Sequence, residues 1–344
     1  MLKNLGLQYR EAINLAGKVN FKKLRNAIEV YQSYRHSRKT GKVLHPAMPF
    51  ALSVEPTTSC NLRCPECISG LRAFTRPTGM LEPGLYSRII EDVREYLIYL
   101  TLYFQGEPYL NQHFFDFVRI ASESDIYTNT STNAHFLNPE NAEKTVKSGL
   151  DRIIVSIDGL DQETYEKYRI GGDLSKVSDG LNNLVSIKKK LKSRKPFIDL
   201  QFIAMGTNEH QLKDVNAFGA QLGVDRVLIK TAQINNYENG SAFIPSDESL
   251  SRYKYNDEGK WVLKNRMDNH CWKMWHSAVI TWNGDVVPCC FDKDSNHSMG
   301  NIKENKFEEI WNNDAYKAFR SNLFKSRSEI DICSNCSEGT KIWN

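Results

Sequence analysis

The sequence predicts an α/β fold, an open, partial (β/α)6 barrel with a helical N-terminal extension and a small cysteine-rich C-terminal region. Two observations carry this. Six short apolar runs alternate with stretches of helical periodicity between residues 50 and 230, and such alternation implies a parallel sheet with right-handed crossovers. Beyond residue 232 the alternation weakens, and five of the eight cysteines lie from 271 onwards. Loops at the C-terminal ends of the strands carry the chemistry of such barrels, and the loop after the first strand holds the other three cysteines.

Taken in order, residues 1–42 read as helical and basic. In FKKLRNAIEVYQSYR the side chains of Phe21, Leu24, Ile28 and Tyr31 share one helical face, which is expected to pack on the main domain. FALSV (50–54) is a short strand that enters the first cysteine loop. LEPGLYSRIIEDVREYL is a helix with Leu85, Ile89, Val93 and Leu97 at every fourth position. YLTLYF (99–104) is a strand, 112–122 helical, IYTNTST (126–132) extended and 138–148 helical. RIIVSI (152–157) is a strand and 175–192 a long helix. FIDLQFIA (197–204) is a strand, followed by a helix containing Leu212, Val215, Phe218 and Leu222, and RVLIK (226–230) is the sixth strand. NNYENGSAFIPSDES is polar and rich in turn formers. The expected segments are a basic extension (1–45), a core (46–235), a connection (236–270) and an auxiliary domain (271–344).

Of the 344 residues, 40% are apolar and the net charge is +4, too mild to argue for nucleic acid. The charge is unevenly placed. Residues 1–42 hold ten Lys/Arg against Glu11 and Glu29, a net +8, which leaves −4 for the remainder. No apolar run reaches the roughly 18 residues of a membrane span, and the N-terminus lacks the apolar core of a signal peptide. The expected compartment is therefore the cytosol, where thiols stay reduced. A second reading lets the basic segment meet an anionic membrane surface or partner.

TSCNLRCPECISG places Cys60, Cys64 and Cys67 within thirteen residues, and no cysteine follows until Cys271. Clustered cysteines in a cytosolic chain read as metal ligands rather than disulfides. Three thiolates can hold three irons of a cubane [4Fe–4S] cluster and leave the fourth open, as catalytic zinc sites keep one position open. The alternative on spacing alone is zinc completed by a distant His.

Cys-x3-Cys-x2-Cys after the first strand of a six-unit βα chain resembles the radical S-adenosylmethionine (SAM) superfamily. Three further stretches match. QGEP, with Gly106, Glu107 and Pro108, follows the second strand, and the resemblance implies that its backbone receives the SAM amino group. NTSTN ends the third strand; there Thr130, Ser131 and Asn133 are implied to approach the ribose. SIDG follows the fourth strand, and its Ser156, with Arg169 thirteen residues later, matches positions that bind the SAM carboxylate. One departure stands out. The residue before the third cysteine is often aromatic in the family and covers the adenine, whereas here it is Glu66. The implied chemistry is reductive cleavage of SAM to a 5′-deoxyadenosyl radical that abstracts a substrate hydrogen, with a reduced flavodoxin- or ferredoxin-type protein as electron donor.

The second cysteine group reads Cys271-x12-Gly284-x4-Cys289, with a hairpin expected at Asn283-Gly284, then Cys333-x2-Cys336. Four thiolates also suit structural zinc. Beside the first resemblance, the set is similar to the auxiliary-cluster extension known as SPASM or twitch, and MGNIKENKFEEIWNND (299–314) shares that look. A full two-cluster SPASM domain needs more cysteines after Cys336, and none follows, so one auxiliary [4Fe–4S] cluster is expected. Cys290 is left over. It reads as an inert thiol, as a replacement ligand for Cys289, or, by analogy with radical SAM epimerases, as a catalytic hydrogen donor.

The layout resembles aminocyclitol dehydrogenases and some carbohydrate epimerases, which implies oxidation or epimerisation of a sugar-like or other small polyol substrate or glycan. The alternatives are a peptide- or protein-modifying maturase and, in another class, a non-catalytic metal-binding scaffold that would not cleave SAM. No nucleic-acid partner is expected.

Overall fold

The computed structural model describes residues 2–265 and 267–340. Met1, Arg266 and 341–344 lie outside the described residues, as do the side chains of residues 2–8, including Lys3 of the basic segment. In chain order the elements are α1 (Leu2–Ala16), α2 (Phe21–Thr40), β1 (Ala51–Val54), α3 (Ile68–Leu71), α4 (Pro83–Val93), β2 (Tyr99–Thr101), α5 (Phe114–Glu123) and β3 (Tyr127–Thr132). Then come α6 (Pro139–Lys147), β4 (Arg152–Ser156), α7 (Gln162–Tyr168), α8 (Leu174–Lys190), β5 (Phe197–Ala204), α9 (Val215–Leu222) and β6 (Arg226–Thr231). The chain closes with β7 (Tyr253–Tyr255), β8 (Trp261–Leu263), α10 (Lys273–His276), β9 (Ser277–Ile280), β10 (Asp285–Val287), β11 (Gly300–Asn301), α11 (Phe307–Trp311), α12 (Asp314–Ser326) and α13 (Asp331–Ser334). All six expected strands are present, and the chain forms two compact units.

One unit gathers residues 2–11, 60–73 and 129–265. Its strands run parallel in the order β3-β4-β5-β6, with Thr130 opposite Ile153 and Ser156 opposite Gln201. Side-chain caps start its helices: Asn138 accepts from Asn141 N–H at the head of α6, Asp161 from Thr164 N–H at α7, and Asp173 from Ser175 N–H at α8. Such caps satisfy amide donors that the first turn leaves unpaired. The buried Asp199 of β5 receives Arg226 Nε at 2.7 Å and Arg152 Nε at 2.6 Å, and Glu11 of α1 lies 3.5 and 3.4 Å from the same two guanidinium groups. Part of the basic N-terminal segment is therefore structural, since Arg10 also pairs with Asp225 at 3.0 Å. The helix expected around Leu212 begins only at Val215. Asn208 is the reason: its side chain accepts from Met205 N–H and donates to the carbonyls of Ile203 and Asp158, which turns the chain before the helix can start.

The second unit gathers residues 12–59, 74–128 and 267–340. Its sheet has the order β11-β10-β9-β1-β2. Strand β9 lies parallel to β1, with Leu52 opposite Ala278 and Val54 opposite Ile280. Strands β9 and β10 are the expected antiparallel hairpin; Gly284 adopts φ +95° in its turn, and Thr281 N–H donates to the Asp285 carbonyl at 2.9 Å. The cysteine-rich region thus supplies strands to the same sheet as β1, a pairing that local periodicity does not reveal.

Helix α2 is capped by Asn20 and ends on Gly41 at φ +68°, and its orientation corrects the sequence reading. Lys23, Val30, Ser33, Tyr34 and Ser37 are its buried residues, whereas Phe21, Leu24 and Ile28 are 81%, 49% and 46% exposed. The inward face is fixed by specific contacts. The Lys23 ammonium donates to the Asp125 carbonyl at 2.6 Å, and the Tyr34 hydroxyl lies 2.9 Å from His270 Nδ1. No helix among the described residues is long and apolar enough to cross a membrane.

Candidate functional site

The three-cysteine loop follows β1 and folds as a tight turn into α3. Cys67 N–H donates to the Cys64 carbonyl at 3.2 Å, and Leu71 N–H to the Cys67 carbonyl at 2.8 Å. Gly70 permits this closeness, because a Cβ there would lie 2.5 Å from the Cys64 backbone nitrogen and oxygen. Cys64 is buried with Leu62 among Tyr168, Met205, Ile234 and Tyr253, and Cys60 and Cys67 pack against that cluster. Burial pushes the Cys64 thiol up, and the Arg169 guanidinium opposes it.

Two of the strand-end motifs converge on this loop. Asn133 donates to Asn61 Oδ1 at 2.8 Å, with Cys60 Sγ 4.0 Å from the same nitrogen. Its own carbonyl and side-chain oxygen meet His135, whose Nε2 accepts from Asp173 N–H at 2.8 Å. That contact makes Nδ1 the protonated nitrogen of the neutral ring. Ser131 and Ser156 bring their hydroxyls to 3.4 Å across β3 and β4. Arg169 closes α7 and spans the remaining side: Nε donates to Asp158 Oδ2 at 2.6 Å, and Nη1 lies 4.0 Å from Cys64 Sγ. Burial works against its charge, yet Asp158 and then Cys64 hold the guanidinium protonated. Asp158 is itself anchored, since its Oδ1 accepts from Ile203 N–H at 2.8 Å.

Asp158 was legible only as part of SIDG, and nothing in its spacing marked it as the partner of Arg169. Glu66, at the position where an aromatic residue is usual, has a different use. Its carboxylate accepts from Asn235 N–H at 2.7 Å, which ties the segment after β6 to the cysteine loop.

In the second unit, Gly106 has φ +73°, and a Cβ there would lie 2.3 Å from the Thr57 carbonyl oxygen. Only glycine fits this approach. Glu107 is buried; its backbone N–H donates to the Ser59 carbonyl at 2.8 Å, and its carboxylate accepts from Tyr109 N–H at 3.3 Å. Pro108 opens a short 3-10 turn, after which Asn111 donates to the carbonyls of Pro56 and Leu81. The loop after β2 is thereby stitched to the end of β1. Beside it sequence reasoning missed a buried ion pair: Arg76 donates bidentately to Glu55, at 2.9 and 2.6 Å, and Trp282 N–H adds a third bond at 3.2 Å.

The four later cysteines lie around one small cavity. Cys271, Cys289, Cys333 and Cys336 line it, with Lys273, Met274, Phe319, Leu323 and Arg327 among the other walls. Arg327 Nη2 donates to Cys336 Sγ at 3.3 Å and to the Glu338 carbonyl, while Nη1 holds the His270 carbonyl. Gly339, at φ +81°, keeps a wall open: a Cβ there would lie 2.3 Å from Cys271 Sγ. Burial pushes the Cys333 thiol up to about 12 and raises Cys271 and Cys336 as well, against the opposing charge of Arg327. Four thiols around one closed cavity, flanked by two cations that suit thiolates, fit an iron–sulfur cluster. Among the described residues, no three His, Cys, Asp or Glu side chains converge where a single ion would sit. Cys290 is exposed and does not line this cavity; its Sγ lies 3.9 Å from Lys273 Nζ, which also pairs with Glu338 at 2.5 Å.

Comparison with known proteins agrees with this geometry. Residues 54–218 match the radical SAM superfamily, and residues 271–337 match SPASM, an iron–sulfur cluster-binding domain. The chain is 25% identical over 316 residues to the tungsten-containing aldehyde ferredoxin oxidoreductase cofactor-modifying protein of Pyrococcus furiosus, covering 83% of this chain and 86% of that one. It is 23% identical to the PqqA peptide cyclase of Gluconobacter oxydans, covering 87% and 85%. It is also 23% identical to the S-adenosyl-L-methionine-dependent 2-deoxy-scyllo-inosamine dehydrogenase of Niallia circulans, covering 83% and 91%. Among solved structures, Streptococcus suis SuiB bound to S-adenosylmethionine superposes with a TM-score of 0.63 at 15% identity, over 89% of this chain and 74% of that one. The shared feature is the fold, an α/β architecture with mostly parallel strands.

Proposed function

Because this chain is a radical SAM enzyme whose radical SAM domain is followed by a SPASM domain, we propose that it oxidises a sugar-like or other small polyol substrate by removing two hydrogens from one carbinol. The observation that carries this reading is the closed four-thiol cavity. A site with four protein ligands has no vacant position for substrate, as closed structural metal sites have none, so its use in turnover is to accept an electron rather than to bind the reactant. The similarity to the inosamine dehydrogenase, which extends over 91% of that protein, supports the same class of substrate. When bound, the open-site [4Fe–4S] cluster, SAM and the auxiliary cluster supply the reductive cleavage to a 5′-deoxyadenosyl radical and an acceptor for the second substrate electron.

The chain's own residues bind and orient. Cys60, Cys64 and Cys67 hold the open-site cluster, and Cys271, Cys289, Cys333 and Cys336 the auxiliary one. Arg169, held at Nε by Asp158, turns its Nη1 edge towards the cysteine loop and receives the SAM carboxylate with Ser156. Thr130, Ser131 and Asn133 take the ribose edge. Gly106, Glu107 and Pro108 keep the role that the resemblance gives them, a backbone acceptor for the amino group. Such fixed donors act by orientation, which is where a protein contributes most when a cofactor does the chemistry. Cys290 stands outside the cavity and has no part in this version.

The test is anaerobic incubation with SAM, a reductant and a panel of aminocyclitols, nucleotide sugars and peptides, read by mass spectrometry. Loss of two hydrogens from a polyol, with one 5′-deoxyadenosine per product, is the expected result. A second reading, a peptide maturase, is favoured by the similarity to PqqA peptide cyclase; a crosslinked peptide with no oxidised polyol would establish it instead.

A further inference from the structure

Helix α2 turns one line of side chains to solvent along its length. Phe21, Leu24, Ile28, Tyr31, Arg35 and Arg38 are spaced three and four residues apart, which places them on a single face. The buried line is a different one, through Lys23, Val30, Tyr34 and Ser37. The outward line changes character along the helix. Its first two turns are apolar, with Phe21, Leu24 and Ile28 largely exposed. Its last two are basic: Arg35, Arg38 and Lys39, with Tyr31 and His36, line an open cleft of about 530 Å³ that reaches the buried Tyr34. Arg35 lies 5.7 Å over the Tyr31 ring, and among the described residues Arg35, Arg38 and Lys39 have no carboxylate partner. By contrast, Lys22 and Arg25 near the start of the helix are paired, with Glu95 and Glu29.

We propose that this face of α2 seats the chain on the phosphate headgroups of an anionic lipid surface, with Phe21, Leu24 and Ile28 entering the headgroup boundary and Arg35, Arg38 and Lys39 taking the phosphates. Three arguments select this occupant. Phe21, Leu24 and Ile28 are exposed together on one face rather than scattered singly, and clustered apolar exposure is what marks an interaction site. Apolar side chains beside unpaired cations match an interfacial helix, which combines burial with attraction to anionic lipid. A second copy of the same face is disfavoured, because a two-fold axis at the basic end would bring like charges together and one at the centre would lay Arg35 and Arg38 on Phe21 and Leu24. The proposal concerns where the enzyme sits and is independent of which substrate it oxidises.

The experiment is co-sedimentation of the holoenzyme with vesicles of phosphatidylcholine alone, of phosphatidylcholine with phosphatidylglycerol, and of the latter with inorganic pyrophosphate as competitor. Binding to the anionic vesicles should exceed binding to neutral ones by roughly tenfold or more, since each basic residue near such a surface contributes on the order of fivefold. It should fall as salt rises. Two variants, Phe21→Ser/Leu24→Ser/Ile28→Ser and Arg35→Gln/Arg38→Gln/Lys39→Gln, should each lose the anionic preference while retaining iron content and SAM cleavage. Absence of vesicle binding by the unaltered holoenzyme, or equal binding to both compositions, overturns the proposal. So does binding that neither variant changes. Pyrophosphate binding without vesicle binding would identify a soluble phosphate ligand and overturn the membrane assignment.

Discussion

Arg169 and Asp158 form a buried pair in which Nε donates to Oδ2 at 2.6 Å and the carboxylate has no solvent exposure. The pairing fixes the plane of the guanidinium, and with it the direction of Nη1 towards Cys64.

Arg169→Ala should weaken SAM binding by roughly ten- to a hundredfold, the range of a charge-assisted hydrogen bond, with iron content unchanged. Asp158→Asn should produce a smaller loss of the same kind, because the guanidinium keeps its charge but loses its anchor. Anaerobic calorimetry with SAM checks both. Unaltered affinity in Arg169→Ala rejects the carboxylate assignment.

Reconstituted anaerobically, the chain should hold two cubane clusters, about eight irons. Replacing Cys60, Cys64 and Cys67 together by Ala should leave about four irons and abolish SAM cleavage. Colorimetric iron analysis and electron paramagnetic resonance read the outcome; a chain that retains zinc and takes up no iron contradicts it.

Gly339→Ala addresses the other cluster. The added Cβ would lie 2.3 Å from Cys271 Sγ, on backbone at φ +81°. Iron should fall by about four per chain, SAM cleavage should persist, and product formation should stop. Full iron content in this variant would show that the cavity is not the auxiliary site.

Most of the fold was legible because its signals are local. Six strands and most of their helices announce themselves through periodicity, whereas the short helix that starts on Asp161 shows itself only in the structure. The cysteine pairs were legible because thiolate chemistry dictates spacing. The rest depends on partners remote in sequence. Nothing near Arg76 marks it as the partner of Glu55, and no pattern in SAVI identifies it as a neighbour of β1. Helix α2 misled for a related reason. Its apolar line through Phe21 and Ile28 looked like the buried face, yet the helix is held by Lys23 and Tyr34 through hydrogen bonds that hydropathy does not register.

Cys290→Ala separates oxidation from epimerisation. The thiol is exposed and outside the four-cysteine cavity, so in an oxidation its loss should be mild, whereas loss of Cys333 or Cys336 should stop product formation. In an epimerase the same variant would cleave SAM yet release no inverted product, and turnover in deuterated water would place deuterium at the inverted carbon. The measurement is product analysis by mass spectrometry once a substrate is in hand.

The parallel pairing of β9 with β1 has a consequence for biosynthesis. Val54 meets Ile280 only after more than two hundred intervening residues have been made. Until the ribosome has released that stretch, β1 carries an open edge, and open edges recruit stray strands. A nascent or truncated chain ending before Ser277 should therefore be a chaperone client, and its yield should depend on how quickly translation reaches the codons of β9.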